Sequence, residues 1–232
     1  MIRAAIFDLD GTLVDTEPLH LAAFNEVLRG RGIELPRDDY FARLVGYDDR
    51  DCFAAVLAEH GKQAGAQEIA GLIVSKTAVY QRMIADRDLL YPGAERFVRQ
   101  CAARFPLLVA TGTLRAEAEM ILRRACLRAL FIDVIAAEDV ARGKPDPAGF
   151  IAALGRIGFL LRRRPAIRAA ECLVVEDTRA GIEAAHRAGM NVLAVCNTAA
   201  APALAAADIV CNTFADIDLD SVLQRFSTDE GG

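Results

Sequence analysis

AAIFDLDGTLVDTEP, residues 4–18, is the stretch on which the reading of this chain turns. Four apolar residues, Ala4, Ala5, Ile6 and Phe7, run straight into Asp8, and Asp10 follows two positions later, before Gly-Thr. Strand side chains alternate between faces, so Asp8 and Asp10 project together if the strand geometry persists that far. Like charges held close repel unless something positive lies between them or a proton is shared. A bound metal, or a reaction that needs two carboxylates, answers such an arrangement.

Outward from this strand, short apolar runs recur at Leu107–Thr111, Ile132–Ala136, Cys172–Val175, Val192–Cys196 and Ile209–Cys211. With Ile2–Phe7 they read as strands buried on both faces. Helical stretches alternate with them at Ala94–Arg104, Leu114–Arg124, Pro147–Gly155 and Ala180–Ala188. Such alternation predicts an α/β fold, a doubly wound parallel sheet with helices on both faces. Residues 17 to about 88 break it with four helical segments, Leu19–Arg29, Asp39–Leu44, Arg50–His60 and Gln67–Asp86, punctuated by Gly30, Gly46 and Gly61. The pattern is a helical module inserted after the first strand. It predicts a core domain of residues 1–14 and 89–232 and an inserted domain of 15–88.

Bulk properties narrow the function. The 232 residues are 53% hydrophobic and 25% charged, enough for a real core. No run of eighteen uncharged apolar residues is present, so no membrane span is expected. The net charge of −5 lacks the basic face a nucleic acid would demand. Six cysteines, Cys52, Cys101, Cys126, Cys172, Cys196 and Cys211, are scattered without a C-x-x-C pair. They read as small buried hydrophobes in a reducing, cytoplasmic setting, and the start of the chain reads as having no secretory leader. His20, His60 and His186 are too far apart in the sequence to suggest a zinc site.

The chemistry follows the strands. Asp8 and Asp10 close the first, Thr111-Gly112-Thr113 the second, Gly143-Lys144-Pro145-Asp146 follows the third, and Glu176-Asp177-Thr178 closes the fourth. Ligands of open parallel sheets bind beyond the carboxyl ends of the strands. Each residue type suits phosphoryl chemistry. Mg²⁺ takes hard oxygen ligands such as Asp8 and Asp177. A carboxylate can be a nucleophile, and a second can protonate a leaving alkoxide. Lysine, the Thr111 hydroxyl and backbone N–H groups can hold phosphoryl oxygens.

In this order the motifs resemble the haloacid dehalogenase superfamily. "DGTLVDTEP", "GKPDP" and "VVEDTRAGIEAAHRAGM" are similar to its β-phosphoglucomutase-like branch of sugar-phosphate phosphatases. The resemblance covers nearly the whole chain and implies a Rossmann-like core with a helical cap. It implies Asp8 as nucleophile, Asp10 as general acid/base, and Thr111, Gly112, Thr113 and Lys144 around the phosphoryl group. It also implies Mg²⁺ held by Asp8, the backbone carbonyl of Asp10 and Asp177, with Glu176 close by. The expected activity is hydrolysis of a small phosphorylated metabolite, a sugar phosphate, by a monomer or weak homodimer. A phosphomutase, or a non-catalytic binding protein on the same fold, is the alternative. A halide leaving group needs neither Asp10 nor Asp177, which argues against dehalogenation.

Two departures stand out. Gly155–Glu171 is longer than the family connection into the fourth strand and carries Arg162, Arg163, Arg164 and Arg168. It is expected to be an enlarged solvated loop. Arg50 is displaced by one position from the substrate-binding arginine of the family's mutases. Lys76 falls on the apolar stripe of Ile69, Leu72, Ile73, Tyr80, Met83 and Ile84. A charge there breaks the local rule; with Tyr80 four residues on, as in the related branch, it is expected to meet the distal end of the substrate. His20, and with it Thr16 and Glu17, is placed near the acid/base and the entrance by the same resemblance.

Overall fold

The computed structural model describes residues 1–85, 87–162 and 166–227. Six strands, β1 (Ala4–Phe7), β2 (Leu107–Ala110), β3 (Phe131–Ile135), β4 (Cys172–Glu176), β5 (Asn191–Val195) and β6 (Ile209–Cys211), form one sheet. All pairings are parallel, in the order β3-β2-β1-β4-β5-β6. The chain winds outward from β1 in both directions, so the strand order switches between β1 and β4. Ile6 lies opposite Leu108 on one side and Val174 on the other. That register brings the carboxyl ends of β1, β2 and β4 to one edge.

The helices are α1 (Glu17–Arg29), α2 (Arg37–Asp39), α3 (Asp49–Glu59), α4 (Ala66–Ile84), α5 (Ala94–Ala102), α6 (Arg115–Arg124), α7 (Ala148–Leu161), α8 (Arg179–Arg187) and α9 (Leu219–Arg225). A π-helical turn at Tyr40–Leu44 follows α2. Alternation along the strands builds two apolar layers. Ala5, Phe7, Leu107, Val109 and Val175 pack with Phe97 of α5 and Ile121 of α6. Ala4, Ile6, Leu108 and Val174 pack with Phe150 and Ile157 of α7 and Ile182 of α8. Each large side chain so buried contributes about 1.5–3 kcal/mol.

The helices between β1 and α5 have their own apolar cluster, including Phe24, Leu28, Tyr40, Phe53, Leu57 and Leu72. Leu19 and Ala23 of α1 and Val79, Tyr80 and Ile84 of α4 belong instead to the cluster of the sheet. The two chain crossings run side by side: Asp15 N donates to Leu89 O at 2.7 Å and Tyr91 N to Leu13 O at 3.0 Å.

Several expectations change. Asp39–Leu44 is a short α-helix running into the π turn, not one helix. The helix expected to stop at Gly155 continues to Leu161, because Ile157 still seats in the core and neither Gly155 nor Gly158 breaks the ladder. The stretch 155–161 is therefore helix, not loop. Arg162 ends it with φ +46°, Arg168 pairs with Glu171 at 3.3 Å, and Arg163 and Arg164 lie outside the described residues. So does Asp86, the expected end of the helix that closes at Ile84. Helix α9 was not foreseen. All six cysteines are free; Cys52, Cys101 and Cys172 are buried, Cys196 and Cys211 half-buried, and Cys126 is exposed, at a helix end. Among the described residues no helix is long and apolar enough to cross a membrane.

Candidate active site

Asp8 continues β1, its N–H donating to Val175 O at 3.0 Å. Its Oδ1 receives Lys144 Nζ at 2.5 Å, and the same ammonium reaches Glu176 Oε1 at 2.5 Å. Lys144 is thus the positive group between two strand-end carboxylates. Glu176 Oε2 accepts Asp177 N at 2.9 Å, Thr178 N at 3.0 Å and Thr178 Oγ1 at 3.0 Å. The carboxylate folds beneath the start of α8, where Thr178 caps the helix by accepting Gly181 N. A Cβ at Gly181 would occupy the space of the Glu176 carboxylate. Asp177 Oδ1 receives Thr12 Oγ1 at 2.5 Å, and Oδ2 receives Thr198 Oγ1. Gly11, at φ +74°, lets the loop pass against Asp177 and Thr198.

Asp8, Glu176 and Asp177 each bring a carboxylate oxygen within 4.8 Å of the others, all buried. Burial, and then the charge of Glu176, raise the Asp8 carboxyl despite Lys144. Burial, with the charges of Glu176 and Asp8, raises Asp177 well above the usual range. Burial alone would lower Lys144, but Asp8 and Glu176 outweigh it and hold the ammonium charged. Three buried carboxyls facing one lysine form an all-oxygen donor set with excess negative charge. A hard divalent cation fits that set.

Asp10 is held differently. Its Oδ1 accepts Thr16 Oγ1 at 2.6 Å, His20 Nε2 at 3.2 Å and the Tyr80 hydroxyl at 3.4 Å; Oδ2 accepts Thr113 Oγ1, and Thr111 Oγ1 at 3.4 Å. Burial would raise this carboxyl, but the hydrogen bond of His20, then those of Thr113 and Thr16, lower it well below the usual range. Behind it, Lys76 Nζ meets His20 Nδ1 at 2.6 Å and Asp49 Oδ1 at 2.8 Å. An ammonium can only donate, so Nδ1 accepts and Nε2 carries the hydrogen that points at Asp10. Tyr80 stacks on the His20 ring at 4.1 Å.

A cleft of about 30 Å³ lies between these groups, lined on the core side by Asp8, Asp10, Thr111, Gly112, Thr113 and Lys144. Its other wall includes Glu17, His20, Tyr40, Tyr47 and Asp49. Lys76 is fully buried and does not line the cleft; its ammonium is spent on Asp49 and His20. The apolar stripe is thus broken by a lysine with a negative partner, not by one that meets solvent. Arg50 is also outside the cleft, paired with Asp48 at 2.8 Å and Asp51 at 3.4 Å.

Thr12, Asp49, Tyr40, Tyr47 and Thr198 were missed from the sequence. Thr198 had a usable signal, since it follows β5 as the other site residues follow their strands. Asp49 opens a helix behind the Asp48 cap, where acidic residues are ordinary.

The model of the haloacid dehalogenase-like hydrolases matches residues 2–189, and the chain belongs to that family. It is a hydrolase with phosphatases among its relatives. The protein CbbY of Rhodobacter capsulatus is 33% identical over 205 residues, 83% of this chain and 84% of that one. Fructose-1-phosphate phosphatase YqaB of Escherichia coli (strain K12) is 32% identical over 190 residues, 82% of this chain and 94% of that one. A crystal structure of a mutant CbbY from Rhodobacter sphaeroides in complex with xylulose-(1,5)bisphosphate has a TM-score of 0.81 at 27% identity, covering 93% and 96% of the two chains.

Proposed function

We propose that the protein is a Mg²⁺-dependent phosphomonoesterase acting through an aspartyl-phosphate on a small sugar phosphate. The observation that carries this reading is two unlike carboxyls at the end of one strand. Asp8 is set against Lys144 in an over-negative cluster, while Asp10 is bonded by hydroxyls and His20.

Asp8 attacks phosphorus, the bond to the leaving oxygen breaks, and the phosphoryl group rests on the Asp8 carboxylate. Lys144, Thr111 and the amides at Gly112 and Thr113 hold its oxygens. Asp10 protonates the leaving alkoxide, then takes a proton from the water that releases phosphate. The closed arrangement suits the second half, because Thr16 and His20 keep Asp10 ionised. Withdrawing His20 with its helix would relieve that and let Asp10 gain a proton before the first half. Asp8, the Asp10 backbone carbonyl and Asp177 would hold Mg²⁺, with Glu176 fixing the loop beside them. When bound, the ion offsets the carboxylate repulsion and polarises a phosphoryl oxygen.

In this reading residues 15–88 form a cap that opens for the substrate. About 30 Å³ admits roughly a water or two, not a sugar phosphate. The six free cysteines support a cytoplasmic setting, and a monomer or weak homodimer is the assembly proposed. Acid quenching during turnover of a radiolabelled aryl phosphate should trap label on the wild-type protein, only with Mg²⁺, and none on Asp8→Asn. An Asp8→Asn protein that is folded and keeps a tenth of the wild-type rate would overturn the covalent route.

A further inference from the structure

The cleft has two unlike ends. At the core end Lys144 faces the phosphoryl position with Thr111, Gly112 and Thr113. At the cap end stand Glu17, Tyr40, Tyr47 and Asp49. Glu17 is only 4% exposed, and its Oε2 accepts the Tyr40 hydroxyl at 2.5 Å. Asp49 Oδ1 accepts Lys76. Among the described residues the second oxygen of each carboxylate has no hydrogen-bond partner, which leaves Glu17 Oε1 and Asp49 Oδ2 for donors on a ligand. Tyr47, 39% exposed, lines the cleft with them.

Among the described residues one cation, Lys76, backs this wall, paired with Asp49 at 2.8 Å, and Glu17 has no ion pair of its own. Lys76 is occupied by Asp49 and His20, and both nitrogens of His20 are engaged by Asp10 and Lys76. Arg50 is paired with Asp48 and Asp51, and Arg43 with Glu59. Arg142 lines a neighbouring cavity with Asp48, Val140 and Phe150, and is not on the wall of the cleft. A second phosphate at the cap end would therefore face Glu17 without an ion-pair partner, and an Asp49 whose lysine is already shared with His20, in a site nearly closed to water where like charges are costly. Hydroxyl groups there would instead donate to them.

Resting on the phosphatase reading, we propose that Glu17 and Asp49 make the enzyme selective for polyol monophosphates with an uncharged distal end, and that it rejects bisphosphates. The same wall works against mutase chemistry, because moving a phosphoryl group between hydroxyls passes through a bisphosphate. The CbbY mutant, by contrast, was crystallised with a bisphosphate.

Phosphate release by the Mg²⁺-loaded full-length protein from p-nitrophenyl phosphate, and from matched mono- and bisphosphates of pentoses, hexoses and heptoses, tests this. In every pair turned over, kcat/KM for the monophosphate should exceed that for the bisphosphate by about tenfold or more. Glu17→Lys should narrow the ratio by about tenfold; if it does not fold, Tyr47→Lys puts a cation on the same wall from a more exposed position. Glu17→Gln should raise KM for the monophosphate more than it lowers kcat. A pair in which the bisphosphate is the better substrate overturns the proposal. So does an unchanged ratio in a folded lysine variant, or hydrolysis of the aryl phosphate with no monophosphate turned over. If the aryl phosphate is itself inert, the phosphatase reading is what fails.

Discussion

Asp8 and Asp10 are two residues apart, yet their surroundings push them in opposite directions, Asp8 up and Asp10 down. If Asp10 is the acid, its loss should hurt most where the leaving group needs a proton. Asp10→Asn should slow phosphorylation of Asp8 by a sugar phosphate on the order of 10²–10⁴-fold, and by an activated aryl phosphate much less; equal losses in single-turnover measurements would remove the acid role. Glu117 is a quieter case. It is 1% exposed, and its Oε1 has no partner among the described residues. Burial raises it from 4.5 to about 7, against the attraction of Lys76 and with the repulsion of Asp49 and Asp10. Between those two values the unfolded chain has released a proton that the folded one still holds, so stability falls as pH rises through that window. At about 1.36 kcal/mol per pKa unit the full loss is roughly 3 kcal/mol. Glu117→Gln should therefore melt higher than wild type at pH 8 by several degrees and little differently at pH 4.5; the same difference at both pH values would refute it. The strand-end residues were legible because a strand's end and a polar residue are both visible in one dimension. Glu117 was not, because an acidic residue in the first turn of a helix is ordinary until the fold lays another element over it.

Helix α4 shows how far a periodic pattern can be read. Its stripe set Lys76 apart as a residue expected to meet the substrate, and the structure pairs its ammonium with Asp49. Which way the ammonium turns depends on α1 and α3, and pairings between helices are not written in the period of one of them. Strands were read almost to the residue, because runs buried on both faces leave no alternation to misjudge. The end of α7 was misplaced because glycine is only a weak helix breaker, costing about 1 kcal/mol, and Ile157 outweighs that by packing in the core. Since Lys76 orients His20 on Asp10, Lys76→Met should cut kcat at least about tenfold, for aryl and sugar phosphates alike. It should also lower stability, because Asp49 loses its partner. An unchanged aryl phosphate rate would show instead that Lys76 serves only the substrate.

On the scale of the molecule, the over-negative cluster at the sheet edge couples metal binding to folding. A ligand at about a hundred times its Kd stabilises by about 2.7 kcal/mol, and for a chain of this length each kcal/mol moves Tm by about 2–4 °C. Mg²⁺ should therefore raise Tm by roughly 5–10 °C, chelation should reverse it, and Asp177→Asn should abolish the response; a rise that survives in Asp177→Asn would place the ion elsewhere. The seam between the inserted helices and the sheet has a different consequence. Leu19, Ala23, Val79, Tyr80 and Ile84 are packed into the same apolar cluster as Phe97 and Ile121, so if residues 15–88 swing away as the proposed cap, hydrocarbon is wetted as the substrate is freed. A ligand that holds the seam shut hides that surface again, however polar the ligand is. Its binding should then carry a negative heat-capacity change, seen in calorimetry as an enthalpy that grows more exothermic with each rise in temperature, and a flat enthalpy would mean that the seam never parts. Warmth would thus shift the driving force for gripping a sugar phosphate from entropy toward enthalpy, through contacts that never touch the sugar.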